Sequence, residues 1–372
     1  MRTRSIRYFD FILLAASLAL VAYGAVLIYS GSLASYGGGA AALSHPVARQ
    51  IGFAAVGLAV MIVISRLDYR VLGYAAASLY IASLAALLFV LVVGESAYGS
   101  RRWVNVGGTL VQPSEIAKLV LIIALAKFLA DRQEQMGSPR VFLTSLAIAL
   151  VPAVLVFVEP DLGSAVIFGA IWLGMVVVAG ARARHVLTFT GAAIVSVPFV
   201  LLALMSDYQR DRVALFIDPT QDSLGSGFNI LQSEISIGSG GWLGQGLTHG
   251  TQTQLDYLRT QSTDYVFSVL GEELGFIGAM LLFALFIILL FRGLRVASVA
   301  RDPFGRLMAT GVVIYILFQV FINIGVNVRL IPVTGIPLPF ISQGGSSLLT
   351  LFVALGILQS IVLRHRPVDF SA

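Results

Sequence analysis

Residues 258–291 read LRTQSTDYVFSVLGEELGFIGAMLLFALFIILLF. From Phe276 to Phe291 no side chain is charged, and Arg292 closes the run. With the apolar residues that follow Asp264, this reads as a helix entering a membrane near residue 265 and leaving near 291. Three carboxylates, Asp264, Glu272 and Glu273, stand at its mouth, where charge is expensive to bury. Thr263 or Asp264 can cap such a helix, and acidic side chains near its N-terminus complement the dipole. Capping needs only one of the three.

The rest of the chain repeats this pattern. Of its 372 residues, 58% are apolar and 12% charged, and the mean hydropathy is +0.90. Soluble domains are about half apolar and about a quarter charged. Apolar segments lie near 9–29, 47–65, 71–93, 114–130, 142–158, 162–180, 186–206, 265–291, 307–328 and 346–363. The expected fold is therefore an all-α polytopic membrane protein, residues 1–372 forming one domain with about ten transmembrane helices. The N-terminus, MRTRSIRYFD before an apolar stretch, imitates a signal peptide, but without a small-x-small cleavage site it reads as an uncleaved first helix. Cysteine is absent, so neither a disulfide nor a thiolate metal site is available. If both termini are cytoplasmic, sixteen of the 24 Lys and Arg residues fall on the inner side, as the positive-inside rule requires. The net charge of +5 is thus topogenic and does not imply a nucleic-acid partner.

The unusual segments all fall on the outer side: 94–115, a connection of about 60 residues from Asp207 to Asp264 between the seventh and eighth segments, and 328–347. Long connections rich in Gly, Pro and polar residues tend to carry function. Glu115 and Lys118 open the fourth segment at i, i+3 spacing and are expected to pair facing a protein-lined cavity; the plainer reading is a capped helix with Lys118 snorkelling outward. Arg101 and Arg102 can grip phosphate and Trp103 can stack on a sugar, or the three can serve as an interfacial anchor. In VEPDLGSA (158–165), Glu159 and Asp161 flank Pro160, and N-capping by Asp161 is a sufficient explanation. Phe228, Leu231, Ile235 and Gly238 fit a short interfacial helix, and the glycines after it suit close backbone approach to a ligand. Arg210 and Arg212 precede it and can meet anionic groups. Gln319, Asn323 and Asn327 make one polar stripe suited to interhelical hydrogen bonds. A carboxylate such as Asp264 beside an embedded polar cleft can act as a general base toward a hydroxyl, and basic neighbours can hold a phosphate leaving group.

Five stretches taken in order, SRRWVNVGGTLVQPSEIAKL, EPDLGSA, GFNILQSEISIGSGGWLGQG, STDYVFSVLGEELGF and PVTGIPLPFISQGGSS, resemble the SEDS family (shape, elongation, division, sporulation). GFNILQS, GTQTQLDYL and PVTGIPLPF resemble its elongation branch, the RodA type, more than its division branch, the FtsW type. The resemblance implies a peptidoglycan glycosyltransferase that polymerises lipid II on the extracytoplasmic face of the bacterial cytoplasmic membrane, with inversion and release of undecaprenyl pyrophosphate. It implies Asp264 as the base, and Trp103, Glu115, Lys118 and Asp161 around the central cavity. Arg101 and Arg102 are then expected at the pyrophosphate, with a class B penicillin-binding protein as partner and other elongation-complex membrane proteins as further candidates. No metal ligand set stands out, although a divalent cation such as Mg2+ bridging pyrophosphate to Asp264 or Asp161 is an open expectation. Gln343, where the family commonly has Tyr, and Arg259-Thr260-Gln261, in place of a Pro-Glu stretch, depart from the pattern. The alternatives are a lipid II flippase or transporter, which has no need of an outer-face base, and the division-specific, FtsW-type member of the same family.

Overall fold

A computed structural model describes residues 8–36, 45–97, 100–106, 109–222, 225–255, 257–258 and 260–365. The ten expected segments appear as helices α1 (Phe11–Tyr36), α2 (Pro46–Arg66), α3 (Arg70–Val93), α4 (Pro113–Asp131), α5 (Pro139–Val158), α6 (Leu162–Val178), α7 (Ala183–Leu204), α11 (Val266–Val299), α12 (Pro303–Asn327) and α13 (Gly345–Leu363). Among the described residues, seven of these are long and apolar enough to cross a membrane on length and composition alone. Charge excludes α4 from that set, and α6 has only 17 residues. Proline starts α2, α4, α5 and α12, where its fixed φ fits and its missing N–H costs nothing.

Helix α12 is the hub, packing on α4, α6 and α11, while α13 lies along α2 and α1 along α11. Helix α7 is peripheral. At the end of the bundle where α11 finishes, Asp10 joins three helices. Its carboxylate takes Arg292 at 2.6 and 2.9 Å, and its backbone N–H and C=O are both clasped by the Gln359 amide at 3.0 and 2.9 Å.

The outer connections are more ordered than their composition suggests. Residues 94–111 contain a small antiparallel sheet of β1 (Glu95–Ala97), β2 (Ser100–Val106) and β3 (Thr109–Val111), in that order. The connection between α7 and α11 contains α8 (Asp207–Ile217), α9 (Ser226–Gly240) and α10 (Thr251–Gln254). Helix α9 packs on α11 along a face with small residues, Ser233 meeting Ser268 and Gly240 lying against the Gly271 backbone. The apolar face read from Phe228, Leu231, Ile235 and Gly238 points outward. Small residues won because they let two backbones approach closely.

Helix α11 is not the single span expected over 265–291. It breaks at Gly275 (φ 61°, ψ −158°), leaving a short piece from Val266 and a long piece running to Val299. The backbone groups freed by the break are taken up by residues 241–246. Gln245 and Gly246 N–H donate to the carbonyls of Glu272 and Glu273, at 2.9 and 3.0 Å, while Phe276 and Ile277 N–H donate to those of Gly241 and Trp242, at 2.9 and 3.1 Å. Unpaired backbone inside a bilayer is costly, and this exchange removes the cost. The glycines of GSGGWLGQG thus permit contact between two backbones, where a ligand had been expected.

Gly244 (φ +76°) tests this arrangement, because a Cβ there would sit 2.1 Å from the Glu273 carbonyl oxygen. Gly244→Ala is expected to cost on the order of 2 kcal/mol or more. Gly169→Ala, where a Cβ meets nothing within 4 Å, should cost none. Thermal unfolding in detergent compares the two, and equal melting temperatures would contradict the stitched break.

Candidate active site

Asp264 sits in a tight turn just before α11. Thr260 adopts φ 58°, and its carbonyl accepts from the N–H groups of Thr263 and Asp264 at 3.0 and 3.1 Å. The turn is held from three sides. The Asn323 and Asn327 amides of α12 donate to the Asp264 carbonyl at 3.2 and 2.9 Å. Asn327 Oδ1 then receives the Ser268 N–H and hydroxyl at 3.2 and 2.7 Å. Asn323 also reaches the Ile336 carbonyl at 2.8 Å, Ser342 Oγ donates to the Thr263 carbonyl at 2.5 Å, and Gln261 Nε2 donates to the Gly31 carbonyl at 2.5 Å. Gln343 contributes to the same clamp, its N–H donating to the Ser262 carbonyl at 2.8 Å and its Oε1 accepting the Ser262 hydroxyl at 3.2 Å. That explains one of the departures noted in the sequence. In the other, Thr260 and Gln261 serve the turn, while Arg259 lies outside the described residues.

Two arginines face the Asp264 carboxylate. Arg102 comes from β2 and is only 6% exposed; Arg212 comes from α8, where it lies over the Tyr208 ring at 4.5 Å and donates to the Val333 carbonyl at 2.9 Å. Gly335 (φ +71°) passes between Arg102 and Asp264. A Cβ there would lie 3.2 Å from Arg102 Nη2 and 3.7 Å from Asp264 Oδ2. Burial pushes the Asp264 carboxyl above its ordinary range, and Arg102 and Arg212 oppose that rise without cancelling it.

Asp161 completes the cluster. Its Oδ1 caps α6 through the Ser164 N–H at 3.0 Å, as the sequence suggested, while its Oδ2 takes Gln112 Nε2 at 3.0 Å and lies 3.6 Å from Arg102 Nη1. Glu159, two residues earlier, is 1% exposed, and among the described residues neither of its oxygens has a hydrogen-bond partner. Desolvation first, and the Asp161 charge second, push it up to about 8 against a weaker pull from Arg102.

Deeper in the bundle, Lys118 Nζ pairs with Glu115 Oε1 at 2.6 Å, and both side chains are buried. Lys118 does not snorkel outward. Tyr315 Oη and Gln319 Nε2 donate to Glu115 Oε2 at 3.0 and 3.4 Å, and Lys118 Nζ lies 5.3 Å from the Tyr315 ring centre. Tyr315, Gln319, Asn323 and Asn327 occupy successive turns of one face of α12, so the buried ion pair and the Asp264 turn hang from the same stripe.

The structure therefore brings Asp264, Arg102 and Asp161 together and links Glu115 and Lys118 to them through α12. Trp103 adjoins Arg102 in β2, half-buried, with no partner for its indole N–H among the described residues. Arg101 lies in β2, but its side chain is outside the described residues. Arg210 is corrected: it is exposed and faces Asp207 at 3.8 Å on the outer side of α8, whereas the helical turn carries Arg212 inward. Gln112, Tyr315 and Gly335 were missed, since single polar or glycine residues give no signal before the chain is folded. Among the described residues no three His, Asp or Glu side chains converge on a metal position, and the Asp161 oxygens are already engaged.

Lys118→Met leaves the Glu115 carboxylate buried without its cation, so it should cost about 3–5 kcal/mol, with much of the loss restored by adding Glu115→Gln. Thermal unfolding of the single and double variants tests this. For Glu159, the unfolded chain releases its proton near 4.5 and the folded chain near 8, so folding retains a proton across that window and stability falls as pH rises through it. Glu159→Gln should lack that part of the decline in melting temperature, and an unchanged slope would contradict the buried-acid reading.

The family model for cell cycle proteins of the FtsW/RodA/SpoVE type matches residues 11–366. Peptidoglycan glycosyltransferase MrdB of Escherichia coli (strain K12) is 38% identical over 360 residues, covering 95% of this chain and 93% of the relative. A chain of a solved peptidoglycan synthase complex that coordinates polymerization and crosslinking superposes with a TM-score of 0.80 at 32% identity, covering 95% of this chain and 97% of that one. The rod shape determining protein RodA of Thermus thermophilus gives 0.68 at 30% identity, with 95% and 96% covered. The protein belongs to the FtsW/RodA/SpoVE family of cell cycle proteins, the SEDS family.

Proposed function

We propose that this chain is a peptidoglycan glycosyltransferase of the elongation type that polymerises lipid II into β-1,4 glycan. The observation that carries the reading is Asp264, a carboxylate clamped through its backbone and faced by Arg102 and Arg212, in a chain similar along its length to a peptidoglycan glycosyltransferase and to RodA. Asp264 takes the proton from the acceptor's 4-hydroxyl as that oxygen attacks C1 of the donor sugar. The C1–O bond to the pyrophosphate breaks, the α-linked donor becomes a β-linked product, and undecaprenyl pyrophosphate leaves with the bonding electrons. Arg102 and Arg212 meet the charge that develops on the leaving group. Asp161, itself held by Gln112, faces Arg102, while the Glu115–Lys118 pair lies deeper in the bundle.

The reaction belongs on the extracytoplasmic face of the bacterial cytoplasmic membrane, with both termini cytoplasmic, because the basic residues crowd the opposite side. A class B penicillin-binding protein is the partner this reading expects, in keeping with the similarity to one chain of a peptidoglycan synthase complex that coordinates polymerization and crosslinking. The cluster around Asp264 supplies base and cation from the chain itself, and no step here is routed through a metal.

Asp264→Asn should lower lipid II polymerisation by about 10²–10⁴-fold in the purified complex with lipid II binding retained, as for removal of a general base. Equal product from variant and wild type would remove Asp264 as the base. No product from either, with lipid II crossing the bilayer, would favour the flippase. A base works when deprotonated, so the wild-type rate should fall with acid from a pH above the ordinary carboxylate range. Arg102→Gln removes a charge that favours the carboxylate and should move that limb to still higher pH.

A further inference from the structure

The end of the bundle opposite Asp264 carries a second feature that glycosyl transfer does not use. A cavity of about 310 Å³ lies where α1 begins and α11 and α13 end, lined by Tyr8, Phe9, Asp10, Arg292, Arg295 and Val296, with Val299, Val362 and His365 closing it. Its volume falls in the range of small-ligand sites. Its base is rigid, because the Asp10 carboxylate is paired with Arg292 and the Asp10 backbone is clasped by Gln359.

That pairing neutralises Asp10 and leaves a positive excess. Arg292 spends Nε and Nη2 on Asp10, leaving Nη1 uncommitted among the described residues. Among the described residues Arg295 forms no ion pair, and neither it nor the Tyr8 hydroxyl makes a hydrogen bond. His365 turns Nδ1 to the Val362 carbonyl at 2.5 Å and sets its ring edge-on to Tyr8 at 5.1 Å, leaving Nε2 free of that bond. Phe9, Val296, Val299 and Val362 supply an apolar wall beside these groups. Cationic donors next to an apolar wall, at the level where helices leave a membrane, match a molecule with an anionic phosphate head and an acyl tail. A free phosphate would use only the donors, and a zwitterionic lipid would bring its own cation against Arg295.

We propose that this cavity is a binding site for an anionic phospholipid of the adjacent leaflet, its phosphodiester held by Arg295, Arg292 Nη1 and the Tyr8 hydroxyl, and the root of its acyl chains against Val296, Val299 and Val362. Basic pockets between helices on the positively charged side of a membrane protein are where such headgroups bind. The occupied site ties the first, eleventh and thirteenth helices at the end where the long piece of α11 is anchored.

The test uses the full chain in dodecyl maltoside, titrated with phosphatidylglycerol, phosphatidylcholine or inorganic phosphate at matched concentration, and read by thermal unfolding and by native mass spectrometry of bound lipid. Phosphatidylglycerol should raise the melting temperature by several degrees and remain bound. Phosphatidylcholine and phosphate should do neither. Arg295→Ala, at an exposed position, should remove at least half of the shift, whereas Arg184→Ala, an exposed cation on α7, should keep it. Equal shifts from the two lipids, a full shift from phosphate alone, or an unchanged response in Arg295→Ala would each overturn the proposal. The result is independent of whether the chain polymerises lipid II.

Discussion

One face of α12 holds the molecule's polar interior in place. Tyr315, Gln319, Asn323 and Asn327 stack one turn apart, and between them they reach the buried Glu115 carboxylate, the Ile336 carbonyl, the Asp264 carbonyl and Ser268 at the start of α11. A single hydrogen bond adds only about 0.5–1.5 kcal/mol to stability, but a buried polar group left unpaired costs about 1–3 kcal/mol. Because these side chains are buried, each amide therefore acts as a positional constraint. The stripe converts a rigid helix into a fixed distance between an ion pair deep in the bundle and a carboxylate at its mouth.

The three acids Asp264, Glu272 and Glu273 divide between chemistry and architecture. Asp264 faces two guanidinium groups. Glu272 accepts the N–H groups of Gln252 and Thr253 at 2.7 and 3.0 Å and the Thr253 hydroxyl at 2.7 Å, so it caps α10. Glu273 takes the Ser30 hydroxyl at 2.5 Å and ties α1 to the same region. Both lie just before the break at Gly275, where residues 241–246 complete the backbone pairing of α11. The short first piece of α11 is thus welded to the outer connection, and Asp264 stands just before its N-terminal end.

Much of this was legible in the chain. Ten apolar segments became ten helices because hydropathy and span length are set by the bilayer itself. The i, i+3 spacing of Glu115 and Lys118 gave their pairing, and the stripe on α12 was visible as a four-residue period. What escaped was everything set by contacts between distant segments. The β1–β3 sheet has strands too short for a periodic signal. The inward turn of Arg212 rather than Arg210 depends on where α8 sits against residues 332–334. The break in α11 gives no signal of its own at Gly275, since glycine occurs inside ordinary membrane helices too. The solitary burial of Glu159 also required the fold, because its neighbours Pro160 and Asp161 already explained the motif.

The central claim is that α12 aims Asp264 through its backbone. The direct test is steady-state lipid II polymerisation by Asn323→Ala and Asn327→Ala, with kcat and KM resolved, in complexes whose folding matches wild type. If α12 positions the base, kcat falls by about tenfold or more while KM stays within about threefold, since small displacements of a reacting group are costly. An unchanged kcat in folded Asn327→Ala would contradict the account, because the carboxylate would then hold its aim without the stripe.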